Sequence, residues 1–238
     1  RLVSFEPPAP RFKPSFKGSG STNPVLYGEA NAHQYALLLS GGNTTNNNAD
    51  RYWRDTAFLY ATLVQKYGYS KSNVIVLVAD GTNPAIDHIN YNYTPPDSFW
   101  ASTPIDFDGD GECDITGDAT ATTVSNTFLD LQTRLTPEDQ LLVFVTDHGG
   151  PTPGAGEWDV ELSLWNGQVL RDRDLQALTE PIPCPIYFVL EQCYGGGFAD
   201  NLGQPNRAIA TAAAHNGLSY AMGTKRHYDQ WSYYWTAA

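Results

Sequence analysis

Four strand-length apolar runs, each closed by a turn rich in Gly, Asp or both, constrain this chain more than anything else in it. They are residues 35–40 before Gly41-Gly42, residues 74–78 before Asp80-Gly81, residues 141–145 before Thr146-Asp147-His148-Gly149-Gly150, and residues 186–190 before Glu191-Gln192-Cys193-Tyr194-Gly195. Their apolar side chains follow one another without alternation, as expected of strands covered on both faces. Helical periodicity occupies the gaps. Tyr52, Thr56, Leu59, Tyr60 and Leu63 share one helical face, residues 46–50 offer its capping side chains, and residues 123–135 and 170–178 read as further helices. Residues 161–165 suggest a side hairpin and residues 208–212 a fifth strand. Strand alternating with helix predicts an α/β fold, a mostly parallel sheet with helices on its faces.

At 238 residues the chain can bury one sizeable core. One domain is expected over residues 31–238, after an extended Pro/Gly/Ser-rich arm at residues 1–30 in which Pro7, Pro8, Pro10 and Pro14 break any regular pattern. The 14 Lys and Arg against 26 Asp and Glu give a net charge of −12, a field that repels polyanions and excludes nucleic acid as a partner. No apolar run is long enough to cross a bilayer, and the chain opens at Arg1 with no signal-type segment, so a leader is expected to have been removed. The chain ends at Ala238 without a clear terminal element, which leaves room for a further C-terminal domain. Three cysteines are too few for a disulfide framework, and their odd number leaves a thiol free. Cys193 is expected to be that thiol, with Cys113 and Cys184 either free or paired in an oxidising compartment.

In an open parallel sheet, chemistry collects at the carboxyl ends of the strands, where the loops converge. His148 and Cys193 follow two such ends directly. If those two strands are neighbours, about 4.8 Å apart, a hydrogen-bonding approach of imidazole and thiol is natural. The imidazole would take the thiol proton and later protonate a leaving amine. Gly149 lets backbone approach a substrate closely, and its N–H together with that of Cys193 suits an oxyanion hole. A lone Cys is usually a small buried hydrophobe and a lone His before Gly a turn residue. Their appearance at successive strand ends, each before a Gly-rich turn, favours catalysis.

Val145-Thr146-Asp147-His148-Gly149-Gly150 resembles the histidine motif of legumain-family cysteine peptidases, and Phe188-Val189-Leu190-Glu191-Gln192-Cys193 resembles their cysteine motif. Weaker similarity runs over residues 35–235, including residues 210–214 and 229–235. The resemblance implies a caspase-like three-layer αβα sandwich with a mostly parallel, roughly six-stranded sheet. It also implies peptide-bond hydrolysis through a thioester on Cys193, with no metal or other cofactor for catalysis and a polypeptide as substrate. It makes Arg51, Glu191 and Asp229 the substrate-binding residues of a specificity pocket, suited to cleavage after Asn or another polar or charged residue, because both charge signs satisfy both ends of a side-chain amide. This chain has Tyr52 where the family has His, and the segment at Leu218 and Ser219 aligns loosely with the pocket serine.

Asp106-Phe107-Asp108-Gly109-Asp110-Gly111-Glu112-Cys113-Asp114 sets oxygen ligands at alternating positions, with Gly at the sixth. That is the front half of an EF-hand-type loop. Asp106, Asp108, Asp110, Glu112 and Asp114 are therefore expected to hold a structural Ca2+, pinning a loop insertion near residues 104–118 beside the active site. The usual Glu at position 12 is replaced by Gly117, followed by Asp118. The competing functions are a transpeptidase or ligase on the same Cys-His site and a catalytically silent, calcium-stabilised binding module. A zinc site of His148, Cys193 and Asp147 lacks four well-spaced ligands. Tyr91, Tyr93 and Trp100 are open between substrate contact and packing. The calcium loop, few lysines and leading arm suit a secreted or periplasmic bacterial protein.

Overall fold

The computed structural model describes residues 33–90, 99–223 and 226–238, so the arm at residues 1–30 and the aromatic residues Tyr91 and Tyr93 lie outside the described residues. Five parallel strands form the central sheet in the order β10-β9-β5-β1-β2. They are β1 (Gln34–Ser40), β2 (Val74–Val78), β5 (Gln140–Val145), β9 (Ile186–Leu190) and β10 (Arg207–Thr211). The expected count of about six becomes five among the described residues. Between them run α1 (Asp50–Ala61), α2 (Ala121–Arg134), α3 (Asp172–Thr179) and α4 (Ala199–Leu202), with α5 (Gln230–Ala237) last. A two-stranded antiparallel pair, β3 (His88–Asn90) and β4 (Phe99–Ala101), lies outside this sheet. So does the antiparallel set β6 (Gly149–Pro151), β7 (Val160–Leu164) and β8 (Gln168–Arg171).

The apolar runs are continuous because each strand packs on both faces. On one face Leu37, Leu39, Ile75, Leu77, Leu141, Val143, Val145, Ile186 and Phe188 meet the inner sides of α2 and α3 and the strand β7. On the other, Ala36, Leu38, Val74, Val76, Leu142, Phe144 and Val189 meet Leu59, Tyr60 and Leu63 from α1 and its continuation. Three layers result. No helix among the described residues is long and apolar enough to cross a membrane.

Local details depart from the sequence reading at element ends. The first residue of α1 follows Ala49, which supplies no side-chain cap; backbone pairing replaces the cap, with Ala49 bridged to Ile89 and the Ile89 N–H donating to Asn48 O. The third helix starts at Asp172 because Leu170 is taken by β8, whose pairing with β7 turns the expected hairpin into a three-stranded sheet. For α2 the cap is real: Thr120 Oγ1 accepts from the Thr123 N–H, and Asp118 Oδ1 accepts from both threonine hydroxyls. Cys113 is exposed, Cys184 is buried, and both are free thiols, so the disulfide alternative falls away. Trp100 is 46% exposed and packs little.

Phe144 sits on the central strand between Leu38 and Val189, fully buried. Phe144→Ala is expected to cost about 3–5 kcal/mol in urea unfolding; a loss below about 1 kcal/mol would show that this face of the sheet is not close-packed.

Candidate active site

The hydrogen-bond register between β5 and β9 pairs Val145 with Leu190. His148 and Cys193 each follow their member of that pair by the same three residues, so the two chains leave the sheet in step and carry imidazole and thiol to one rim. The ladder persists one residue further, with the Glu191 N–H donating to Val145 O. Beyond it the two turns touch. A Cβ on Gly149 would lie 2.2 Å from Cys193 O, which only glycine avoids, so Gly149 backbone is pressed directly against the Cys193 turn. The His148 carbonyl accepts from the Ser163 N–H, which makes the next pair, Gly149 with Leu162, one whose amides face away from β7. Tyr194, immediately after Cys193, adopts left-handed φ of 61° and donates its N–H to Gly217 O, a sharp bend that ends the strand direction.

His148 is held by two groups. Its Nε2 lies 3.0 Å from Asn47 O, a carbonyl that can only accept, so Nε2 carries the proton and Nδ1 is the ring's acceptor. The Tyr52 hydroxyl lies 3.2 Å from Nε2 and 3.4 Å from Nδ1, with the rings edge to face. Burial, with the Arg51 guanidinium adding to it, holds the His148 pKa below its ordinary value, so the ring is a neutral base at pH 7. Asp147 does not orient the imidazole. Its carboxylate accepts from the backbone N–H groups of Gly42 and His148, fixing the turn, and burial pushes its pKa up to about 7. Among the described residues His148, Cys193 and Asp147 form no metal-binding group, which removes the zinc reading.

Arg51, Glu191 and Asp229 come together although they are far apart in sequence. Arg51 Nε donates to Asp229 Oδ1 at 2.8 Å and its Nη2 to the Tyr52 hydroxyl at 2.7 Å. Glu191 is tied to the Ser219 hydroxyl through Oε1, and through Oε2 to the N–H and hydroxyl of Ser232, both at 3.1 Å. Ser219 closes the circuit to the thiol, its N–H donating to Cys193 Sγ at 3.3 Å. A third carboxylate, Asp55, accepts from the Asp229 N–H at 3.1 Å. Asp55, Glu191 and Asp229 are nearly fully buried and act on one another, with the Arg51 guanidinium beside Asp229 and Asp55, so they cannot all be ionised cheaply. Burial first, then the Asp229 charge, pushes Glu191 up to about 8 and raises Asp55 strongly.

Sequence reasoning had named the pocket trio but not Asp55, Ser232 or the Asn47 carbonyl, and it had aligned Ser219 only loosely. Asp55 did leave a signal, since it lies at helical spacing between Tyr52 and Leu59 on the buried face of α1. A main-chain carbonyl leaves none.

The acidic loop lies elsewhere. Asp106, Asp108 and Asp114 converge, Asp110 joins them through Lys71, and Glu112 stays outside the convergent group. Lys71 precedes β2, at the amino end of the sheet, whereas His148 and Cys193 follow carboxyl ends. The expectation that this loop flanks the active site is therefore corrected: Arg51 and Tyr60 stand at opposite ends of α1, about 13 Å apart along its axis.

The model of the Peptidase C13 family matches residues 34–236, from β1 into α5. The crystal structure of protein GSU0716 from Geobacter sulfurreducens is similar in fold, at a TM-score of 0.52 and 14% sequence identity, with 84% of this chain and 78% of that chain covered. Among curated proteins none matches.

Both Asp147 and Glu191 have folded-state pKa values above the ordinary carboxylate range, so the stability they contribute is complete below about pH 4 and is lost as pH rises through about 7 to 8. The melting temperature is expected to fall between pH 5 and pH 8.5. Arg51→Met strips the buried carboxylates of their counter-ion and should cost about 3–5 kcal/mol at pH 8, shrinking at pH 5 as protons replace the guanidinium. A cost independent of pH would contradict this account.

Proposed function

The chain belongs to the Peptidase C13 family, the legumain-type cysteine peptidases, and we propose that it is an endopeptidase that cleaves polypeptides through a thioester on Cys193. The observation that carries this reading is the common offset of His148 and Cys193 from the Val145–Leu190 pair, with Gly149 backbone pressed on Cys193. His148 Nδ1 takes the thiol proton as sulfur attacks the scissile carbonyl carbon. The oxygen gains negative charge and is met by the N–H groups of Gly149 and Cys193. The carbon–nitrogen bond then breaks and the imidazolium proton leaves with the amine. Water, deprotonated by the same imidazole, hydrolyses the thioester and restores the thiol.

Arg51, Glu191 and Asp229 form the pocket for the residue before the cleaved bond. Its mixed charge supports a preference for Asn: the side-chain carbonyl accepts from Arg51, and the amide NH2 donates to carboxylate oxygen. Tyr52, in place of the family's His, both accepts from Arg51 and contacts His148, so it couples the pocket to the base.

An acyloxymethyl ketone probe should label the wild type and not Cys193→Ala, with His148→Ala lowering the labelling rate at least a hundredfold. Mass spectrometry of cleaved peptide libraries should then show Asn before the cut. Labelling that survives Cys193→Ala, or a wild type that neither labels nor cleaves, would refute the assignment, while cleavage after unrelated residues would refute the pocket alone.

A further inference from the structure

The acidic loop carries more charge than its own contacts neutralise. Asp106, Asp108 and Asp114 each offer an oxygen within 4.8 Å of the others. That span is the distance across a calcium shell, since opposite ligands at about 2.4 Å from the ion are about 4.8 Å apart. One ammonium faces them: Lys71 Nζ lies 2.7 Å from Asp108, 2.6 Å from Asp110 and 3.4 Å from Asp114. Four carboxylates against one cation leave a local excess of negative charge.

The loop is otherwise built as a closed cradle. Asp106 accepts from the N–H groups of Gly109 and Gly111 at 2.7 and 2.9 Å, and Asp114 accepts from Phe107 N–H, Asp108 N–H and the Tyr60 hydroxyl. The Asp108 side chain is only 5% exposed, and its Oδ1 is fully buried with no hydrogen-bond partner among the described residues. A buried carboxylate oxygen without a donor is costly, and a cation removes that cost.

We propose that Asp106, Asp108 and Asp114 form a site for a calcium-class divalent cation, in which Lys71 is the resident counter-ion that the divalent ion displaces. Displacement frees Asp110, the fifth position of the loop, to add its carboxylate. Calcium suits the site better than magnesium, because carboxylates set on one irregular loop match a larger ion that tolerates irregular coordination. The bound ion ties residues 105–114 to the C-terminal part of α1, whose Tyr60 hydroxyl donates to Asp114. It takes no part in chemistry at Cys193, which lies at the other end of the sheet.

Calcium titrated into the chelator-treated full chain should raise its melting temperature by roughly 5–10 °C once calcium exceeds its dissociation constant about a hundredfold, and magnesium should raise it less. Terbium should give emission sensitised by Tyr60, and this signal should drop in Tyr60→Phe. Asp108→Asn and Asp106→Asn should each abolish the calcium shift, whereas Lys71→Met should tighten calcium binding about tenfold. An unchanged melt in calcium and chelator, a shift that survives both Asp variants, or weaker binding in Lys71→Met would overturn the proposal. Probe labelling of Cys193 should be the same in Asp108→Asn as in wild type, so the outcome is independent of the peptidase reading.

Discussion

Parallel pairing of β5 with β9 is the constraint from which the site follows. A strand pair in register delivers whatever comes next in each chain to the same height, and here it delivers His148 and Cys193. Pairing of Leu39 with Val145 extends the same logic to β1, whose following segment holds the Asn47 carbonyl and the start of α1. Pairing of Thr211 with Leu190 extends it to β10 and the segment leading to Ser219. A slip of one residue between β5 and β9 would both bring His148 and Cys193 out of step and turn the side chains of the shifted strand, Phe144 or Val189 among them, out of the α1-facing core.

Electrostatics at this rim is governed by scarcity of positive charge. Arg51 serves Asp229 directly and acts on Asp55 and Asp147, while Glu191 faces the Asp229 charge, and all four carboxylates are removed from water. Such a cluster is stable only while some of its carboxylates hold protons or find other donors. The hydroxyls of Ser219 and Ser232 and the N–H groups of Gly42, His148, Ser232 and Asp229 supply those donors. The same scarcity recurs in the acidic loop, where among the described residues Lys71 alone faces several carboxylates.

Much of this was legible in the residues. Apolar runs buried on both faces identify a parallel sheet whatever the order of its strands, and a Gly-rich turn after each run marks where chemistry can gather. Element ends were harder, because they are decided by partners rather than propensity. Ala49 starts α1 without a capping side chain because Ile89 holds the preceding backbone, and Leu170 joins a strand because β7 is beside it. The acidic loop was recognised by its spacing but misplaced, since spacing describes local ligands and says nothing about which end of the sheet a long connection returns to.

The positions and character of the strands, the two residues that follow β5 and β9, and the alternating aspartates were determined by the sequence itself, because each depends on neighbours a few positions away. Tertiary structure alone decided that Val145 pairs with Leu190, that Asp55 joins Glu191 and Asp229 around Arg51, and that a carbonyl of Asn47 fixes the imidazole. These are contacts between distant segments. Their geometry follows from how two-sided burial stacks the layers, and no local pattern of residues encodes it.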